Sequence, residues 1–224
     1  MNETIQVLGV QLNNLDAKSA IKQVMSYMET EPVSVIEMVT MNTIAQFRDV
    51  ENADEIFKTM DLALASDKGI LQAAGVTEER QLKEASEMLF IKMVLRYFHK
   101  NKVRVFLLAE TAEDLQKLET YMEEDYAKIL VVETATMEEK GSSDDMLLNH
   151  INGAEAVCVL SVLPSPREEQ FIAKNKWLVN ARIWFGLGNL LDEIKKEKSA
   201  FQKVKAFIQG HLLKKEMAKK GENA

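Results

Sequence analysis

The chain has few of the residues that signal secretion, membrane insertion or metal binding. It contains one cysteine and three prolines in 224 residues, so no disulfide can form within it, as is usual in a reducing compartment. The first residues carry neither a basic nor an apolar leader, and no apolar run approaches the ~20 residues of a spanning helix. These absences favour a cytoplasmic protein.

Metal and nucleic-acid chemistry have equally little support. The three histidines, His99, His150 and His211, are far apart, and none has a second ligand at metal spacing. We therefore expect no metal and no other cofactor. The lone Cys158 lies in an apolar run, which indicates a small core residue rather than a reactive thiol. The net charge of −7 means that the surface as a whole does not attract nucleic acid.

Apolar, β-rich runs alternate with helical patterns along most of the chain. This alternation predicts an α/β fold of Rossmann-like type, with a mostly parallel sheet covered by helices on both faces. One long helix is predicted over residues 84–100, and Ser165 is predicted to cap a helix whose first residue is Pro166, with Glu168 completing a capping box. The predicted strands cover residues 5–10, 33–39, 62–65, 102–109, 129–132, 154–163 and 182–187.

The composition changes near the C-terminus. Residues 195–220 contain nine lysines and two acids. We expect residues 1–192 to form one α/β domain and residues 193–224 a lysine-rich helical tail. Three interpretations of the tail stay open: a solvated helix docked by one face, a helix lying on an anionic membrane surface, or a cover for an apolar face of the domain or of a second copy. The last would make a homo-oligomer.

Four polar or glycine-bearing loops follow predicted strands, at residues 40–43, 66–69, 161–167 and 186–192. In an open parallel sheet, ligands bind outside the carboxyl ends of the strands, because the loops there converge on one crevice. Each loop is a weak signal by itself. Their order and separation are more informative.

Several short motifs occur in a fixed order over roughly residues 5–192. The strongest is SPREEQFIAKN at 165–175, and the others are VLGV at 7–10, TMN at 40–42, DLAL at 61–64, and GLG at 186–188 followed by Asp192. This ordered set resembles the WecG/TagA/CpsF family of bacterial glycosyltransferases, which make cell-surface polysaccharides such as wall teichoic acid linkage units.

The resemblance implies a reaction and a set of site residues. Family members transfer an N-acetylmannosamine-type sugar from a UDP donor to an undecaprenyl-linked acceptor at the inner membrane face. They use no metal, and a carboxylate accepts the proton of the acceptor hydroxyl. Carried onto this chain, the resemblance makes Asp67 and Thr40 the candidate catalytic residues. The candidate substrate-binding residues are Asn42, Ser66, Arg80, Ser165, Arg167, Glu169, Gly186 and Gly188.

The chain also departs from the family pattern. An ungapped register places Ser66 at the family's aspartate, so Asp67 is the candidate base only after a one-residue adjustment of the loop. A family arginine that is thought to face the donor phosphates falls near Gln81, next to Arg80. Two further changes add acids: Glu110 follows the middle strand where the family has a glycine-rich turn, and Glu168 replaces a glutamine.

Most candidates also have a purely structural interpretation. Thr40 and Asn42 either hold a sugar hydroxyl or cap the next helix, and the two glycines of 186–188 either admit a ligand or permit a tight turn. Asp67 is either the base or a helix N-terminal charge. Two hypotheses therefore remain: an active transferase, and a catalytically degenerate homologue that serves as a binding or assembly protein.

Overall fold

The computed structural model describes residues 4–138, 143–188 and 190. The strands are β1 Thr4–Val7, β2 Val10–Asn13, β3 Ser34–Val39, β4 Leu62–Ala65, β5 Arg104–Ala109, β6 Leu130–Thr136, β7 Cys158–Val162 and β8 Ile183–Gly186. The helices are α1 Ala17–Tyr27, α2 Met41–Phe47, α3 Ala53–Phe57, α4 Lys68–Ala73, α5 Glu79–Ser86, α6 Leu89–Asn101, α7 Ala112–Tyr126, α8 Asp144–Gly153 and α9 Arg167–Asn175, with a 3-10 turn at Lys176–Leu178.

Six strands form one sheet in the order β4-β3-β8-β7-β5-β6, and every pairing in it is parallel. The predicted α/β class is therefore confirmed. Strands β3, β7 and β8 are buried along their whole length, as expected of parallel strands with both faces covered. Side chains alternate between the two faces, so Trp184 packs with Phe171 of α9, while Phe185 meets Phe90 of α6 on the other side.

The two edges of the sheet differ. At β4, the hairpin β1–β2 packs alongside, and Asn13 Oδ1 accepts the Ala63 N–H at 2.9 Å where a further strand would otherwise pair. At the other edge, no strand of the described residues pairs with the outer side of β6. Leu130 and Val131 are exposed there.

Two predictions of continuous elements are wrong because the backbone enters the left-handed region. Residues 5–10 form a hairpin instead of one strand, with Leu8 at φ 50° and Gly9 at φ 93° in the turn. Residues 84–100 form two helices, because Met88 has φ 49° and interrupts the hydrogen-bond ladder between α5 and α6.

The prediction of a Ser165 cap is also wrong. Helix α9 begins at Arg167, its N-cap residue is Pro166, and no side chain makes a capping hydrogen bond there. Arg167 and Glu168 N–H groups instead donate to the Pro164 carbonyl. The Ser165 hydroxyl therefore does not cap α9 and is available to other partners.

Cys158 is buried in β7, where burial raises the pKa of its thiol. Among the described residues, no helix has both the length and the apolar character needed to cross a bilayer. The predicted tail, residues 193–224, and the turn residue Asp192 lie outside the described residues.

Candidate functional site

Because the strands are parallel, the carboxyl ends of β4, β3, β8 and β7 lie side by side at the same end of the sheet. Ser66 N donates to Val39 O at 2.9 Å, which extends the β4–β3 pairing and places Ser66 beside Thr40. The turn after β8 joins β7 in the same way, since Leu187 N donates to Ser161 O at 2.9 Å. The strand order thus brings the described residues of all four predicted loops to neighbouring strand ends.

A chain of hydroxyl groups links the ends of β3 and β7. Thr40 caps α2, because Thr40 Oγ1 accepts the Thr43 N–H at 2.9 Å and Thr43 Oγ1 accepts the Thr40 N–H at 3.3 Å. Ser165 Oγ lies 3.2 Å from Thr43 Oγ1 and donates to Glu169 Oε1 at 2.5 Å. Asn42 lies on the exposed first turn of α2. The capping role proposed for Thr40 is therefore real, and its hydroxyl is already engaged.

Ser66 borders a cavity of about 40 Å³ on the sheet face covered by α1 and α6. It is large enough for water. Ser66 is 3% exposed, and its hydroxyl has no hydrogen-bond partner. The other polar side chains of the lining are those of Asn13, Gln81 and Glu84, and the apolar lining includes Met38, Leu64, Leu71, Met88, Phe90 and Ile91. The position at which the family register places an acid therefore faces a mainly apolar cavity.

Asp67 has the geometry of a helix cap. Its backbone is extended, and Asp67 Oδ1 accepts the N–H groups of Gly69 at 2.7 Å and Ile70 at 3.2 Å. A Cβ at position 69 would lie 2.9 Å from the same oxygen, so the glycine permits the close approach. The structural interpretation of Asp67 holds, although a carboxylate retains further lone pairs that can accept a proton.

Arg167 and Arg80 are both paired with acids. The Arg167 guanidinium forms an ion pair with Glu110, and Nη2 lies 3.4 Å from the Met137 carbonyl. Arg80 pairs with Glu84 at 2.9 Å and with Asp16, the α1 cap, at 3.4 Å. Arg167 thus lies at the ends of β5 and β6, whereas Arg80 lies on the exposed side of α5.

The pKa of Glu110, the partner of Arg167, is shifted from its usual value. Burial raises the pKa of Glu110, and the neighbouring Arg167 opposes that shift. Glu110 Oε2 is buried without a hydrogen-bond partner. The acid that replaces the family's glycine-rich turn therefore draws the guanidinium of α9 toward the β5 end.

Three glutamates are buried beneath the strand ends. Glu37, in the middle of β3, is 1% exposed, Glu168 is 1% exposed and Glu169 is 0% exposed. Sequence reasoning considered Glu168 and Glu169 but missed Glu37. Its signal was a lone acid inside an otherwise apolar strand pattern, residues 33–39.

Gly186 is the reason that two of these carboxylates fit together. A Cβ at this position would clash with the Glu37 carboxylate and lie 2.8 Å from Glu168 Oε1. Gly188 has a different requirement, since its φ of 50° is in the left-handed region. The first glycine admits protein side chains, and the second permits the turn.

Burial controls the charge of the three glutamates. Loss of hydration raises the pKa of Glu37 well above its usual value, and Glu168 and Glu169 raise it further. Burial raises the pKa of Glu168 to about 7, although hydrogen bonds from Ser161 and Trp184 oppose the shift. The pKa of Glu169 is also raised by burial. Within the described ranges, no group of three His, Cys, Asp or Glu side chains is arranged to hold a metal ion.

Comparison with known proteins gives a family. The family model described as "Glycosyl transferase WecG/TagA/CpsF family" matches residues 5–200, which include every strand and loop described above except the first residue of β1. A search of curated proteins finds no match. Because the match covers most of the chain, the protein belongs to the WecG/TagA/CpsF family of glycosyltransferases.

Proposed function

We propose that the protein transfers an N-acetylhexosamine from a UDP-sugar to a polyprenyl-linked acceptor in cell-surface polysaccharide synthesis. Family membership supports a glycosyltransferase, and the particular donor and acceptor are the proposal. The observation that carries it is the convergence of the loops after β4, β3, β8 and β7 at one end of the sheet, where Ser66 N donates to Val39 O and Ser165 Oγ lies 3.2 Å from Thr43 Oγ1. A lipid-linked acceptor would bring the protein to the inner face of the membrane.

The candidate residues have distinct proposed roles. Asp67 accepts the proton of the attacking hydroxyl, because a sugar hydroxyl is a poor nucleophile until a nearby base removes its proton. Thr40 and the exposed Asn42 orient the sugar near that carboxylate, and the buried Ser66 supports the loop through its N–H bond to Val39 O.

The diphosphate is proposed to bind on the other side of the crevice. The Arg167 guanidinium provides its main contact, because the N–H groups of Arg167 and Glu168 already donate to Pro164 O and the Ser165 hydroxyl donates to Glu169. Gly186 and Gly188 leave the turn after β8 without side chains beside it, and Glu169 accepts a hydrogen bond from the Ser165 hydroxyl.

One observation favours the second candidate, a homologue that binds without catalysis. The Arg167 charge is already compensated by Glu110. A diphosphate would have to compete with that carboxylate, at a cost of about 1 kcal/mol in a solvated site. Together with Ser66 at the register position of the family aspartate, this pairing weakens both phosphate binding and base catalysis.

Thermal melting with UDP and UDP-N-acetylglucosamine, followed by a transfer assay, separates the two candidates. A ligand at 100 times its dissociation constant stabilises the fold by about 2.7 kcal/mol, or roughly 5–10 °C for a chain of this size. A shift with turnover that Asp67→Asn removes supports the transferase. A shift with no turnover supports the binding protein. No shift with millimolar nucleotide would reject the transferase.

A further inference from the structure

The strand register places three residues in a row beneath α9. Glu37 of β3 pairs in register with Gly186 of β8, and Gly186 pairs with Ser161 of β7. Glu168 reaches down from the first turn of α9 onto the same point. Because Gly186 has no side chain, the strand carboxylate and the helix carboxylate both approach its Cα.

The side-chain hydrogen-bond donors around this point serve one carboxylate oxygen. Glu168 Oε1 accepts from the Ser161 hydroxyl and, at 2.8 Å, from Trp184 Nε1. The other oxygen, Glu168 Oε2, and Glu37 Oε2 are both buried without partners. Two full negative charges in this position would lack the donors that a buried carboxylate needs.

The neighbouring charges do not compensate the pair. The third buried glutamate, Glu169 of α9, adds negative charge and accepts a hydrogen bond from Ser165, which in turn contacts Thr43 of α2. Arg167, on the same turn of α9, is paired with Glu110. From β8 and the end of β7 the facing groups are neutral: the Ser161 hydroxyl, the Trp184 indole and the Leu163 N–H, which also opposes the rise in the pKa of Glu168.

We propose that Glu37 and Glu168 share one proton, and that this shared proton holds the first turn of α9 against the strand ends of the candidate site. Glu37 is then a positioning residue that acts through Glu168 on the segment carrying Ser165 and Arg167. This mechanism goes beyond the proposed function, since it holds whichever ligand the site binds. Removing the proton leaves two adjacent buried charges, and the helix turn moves away from Gly186 to hydrate them.

Trp184 provides a direct optical readout, because its indole donates to Glu168. The chain has two tryptophans, and Trp177 is 74% exposed, so Trp177→Phe leaves the Trp184 signal alone. In this background we expect a single fluorescence transition between pH 5 and pH 9. Glu168→Gln should abolish it, and Glu37→Gln should move its midpoint down by at least one pH unit.

Glu123→Gln, a neutralised acid on the exposed face of α7, is the matched control and should leave the midpoint unchanged. Circular dichroism at pH 5 and pH 9 checks that each variant is folded. The absence of a transition in Trp177→Phe, or its persistence in Glu168→Gln, overturns the proposal. An unchanged midpoint in folded Glu37→Gln would also show that Glu37 and Glu168 do not share a proton.

Hydrogen exchange tests directly whether the proton holds the first turn of α9 in place. It is measured in the protein that keeps Trp177. After correction for intrinsic exchange rates, amides of residues 165–172 should exchange at least tenfold faster at pH 8.5 than at pH 5.5, and Glu168→Gln should remove this difference. Equal protection at both pH values in the unaltered chain would show that the proton does not hold the helix turn.

Discussion

Arg167 and Glu110 form an ion pair that joins the start of α9 to the carboxyl end of β5. Each residue lies at the carboxyl ends of the strands, where the diphosphate is proposed to bind, and the two would act on its charge in opposite senses. The balance between them therefore sets how strongly this edge attracts an anion.

Neutralising Glu110 should strengthen nucleotide binding. In Glu110→Gln the Arg167 guanidinium is released, and we expect UDP to bind roughly fivefold more tightly, equivalent to about 1 kcal/mol. Titration calorimetry at fixed ionic strength measures the effect. Glu123→Gln controls for the change in net charge, and an equal gain in both variants would contradict a role for the ion pair.

Position 186 should accept no side chain. We expect Gly186→Ala to lower the free energy of unfolding by about 2–4 kcal/mol, because its Cβ would clash with the Glu37 carboxylate. Gly153→Ala is the matched control, since a Cβ there meets nothing within 4 Å. Urea unfolding compares the two, and equal stabilities would show that the close approach at Gly186 is not required.

Stability should fall as the pH rises from 5 to 8. The folded-state pKa of Glu168 is raised to about 7, whereas the unfolded value is about 4.3. The folded state therefore binds more protons between these values, and its advantage is lost as the pH passes through 7. We expect a loss of about 2–3 kcal/mol, measured by urea unfolding. Glu168→Gln should flatten this dependence, and an equally steep profile in that variant would assign it to other groups.

Two substitutions at position 67 separate capping from catalysis. Asp67→Asn keeps a side-chain cap on α4 and removes the carboxylate, so the melting temperature should be nearly unchanged while transfer falls at least 100-fold. Asp67→Ala should in addition lose about 1 kcal/mol of stability. If Asp67→Asn retained full turnover, the base would have to be another residue.

The sequence was sufficient for the fold class and for most strands. Apolar runs of strand length, separated by helical periods, indicate parallel strands wherever both faces are buried, as in β3 and β7. The left-handed residues Leu8 and Met88 were missed because neither is a residue type that favours positive φ. Both are bulky apolar residues within apolar runs, and such runs predict a continuous strand or helix rather than a turn.

The site was less accessible to sequence reasoning, because its contacts depend on strand order. The last strand of the described residues, β8, lies between β3 and β7, and this arrangement alone brings Glu37 next to Gly186. Local patterns also misassigned Ser165, since a serine before proline and glutamate is typical of a helix cap. The partner of its hydroxyl, Thr43, is 122 positions away in the chain.

The unequal edges of the sheet determine how copies of this protein could join by strand pairing. The β4 edge is occupied by the hairpin and by Asn13, whereas the outer side of β6 has no strand partner among the described residues. Growth into a fibre needs two complementary free edges on each molecule. Two copies meeting through β6 would each use the same edge around a two-fold axis, so that assembly would end at a closed pair.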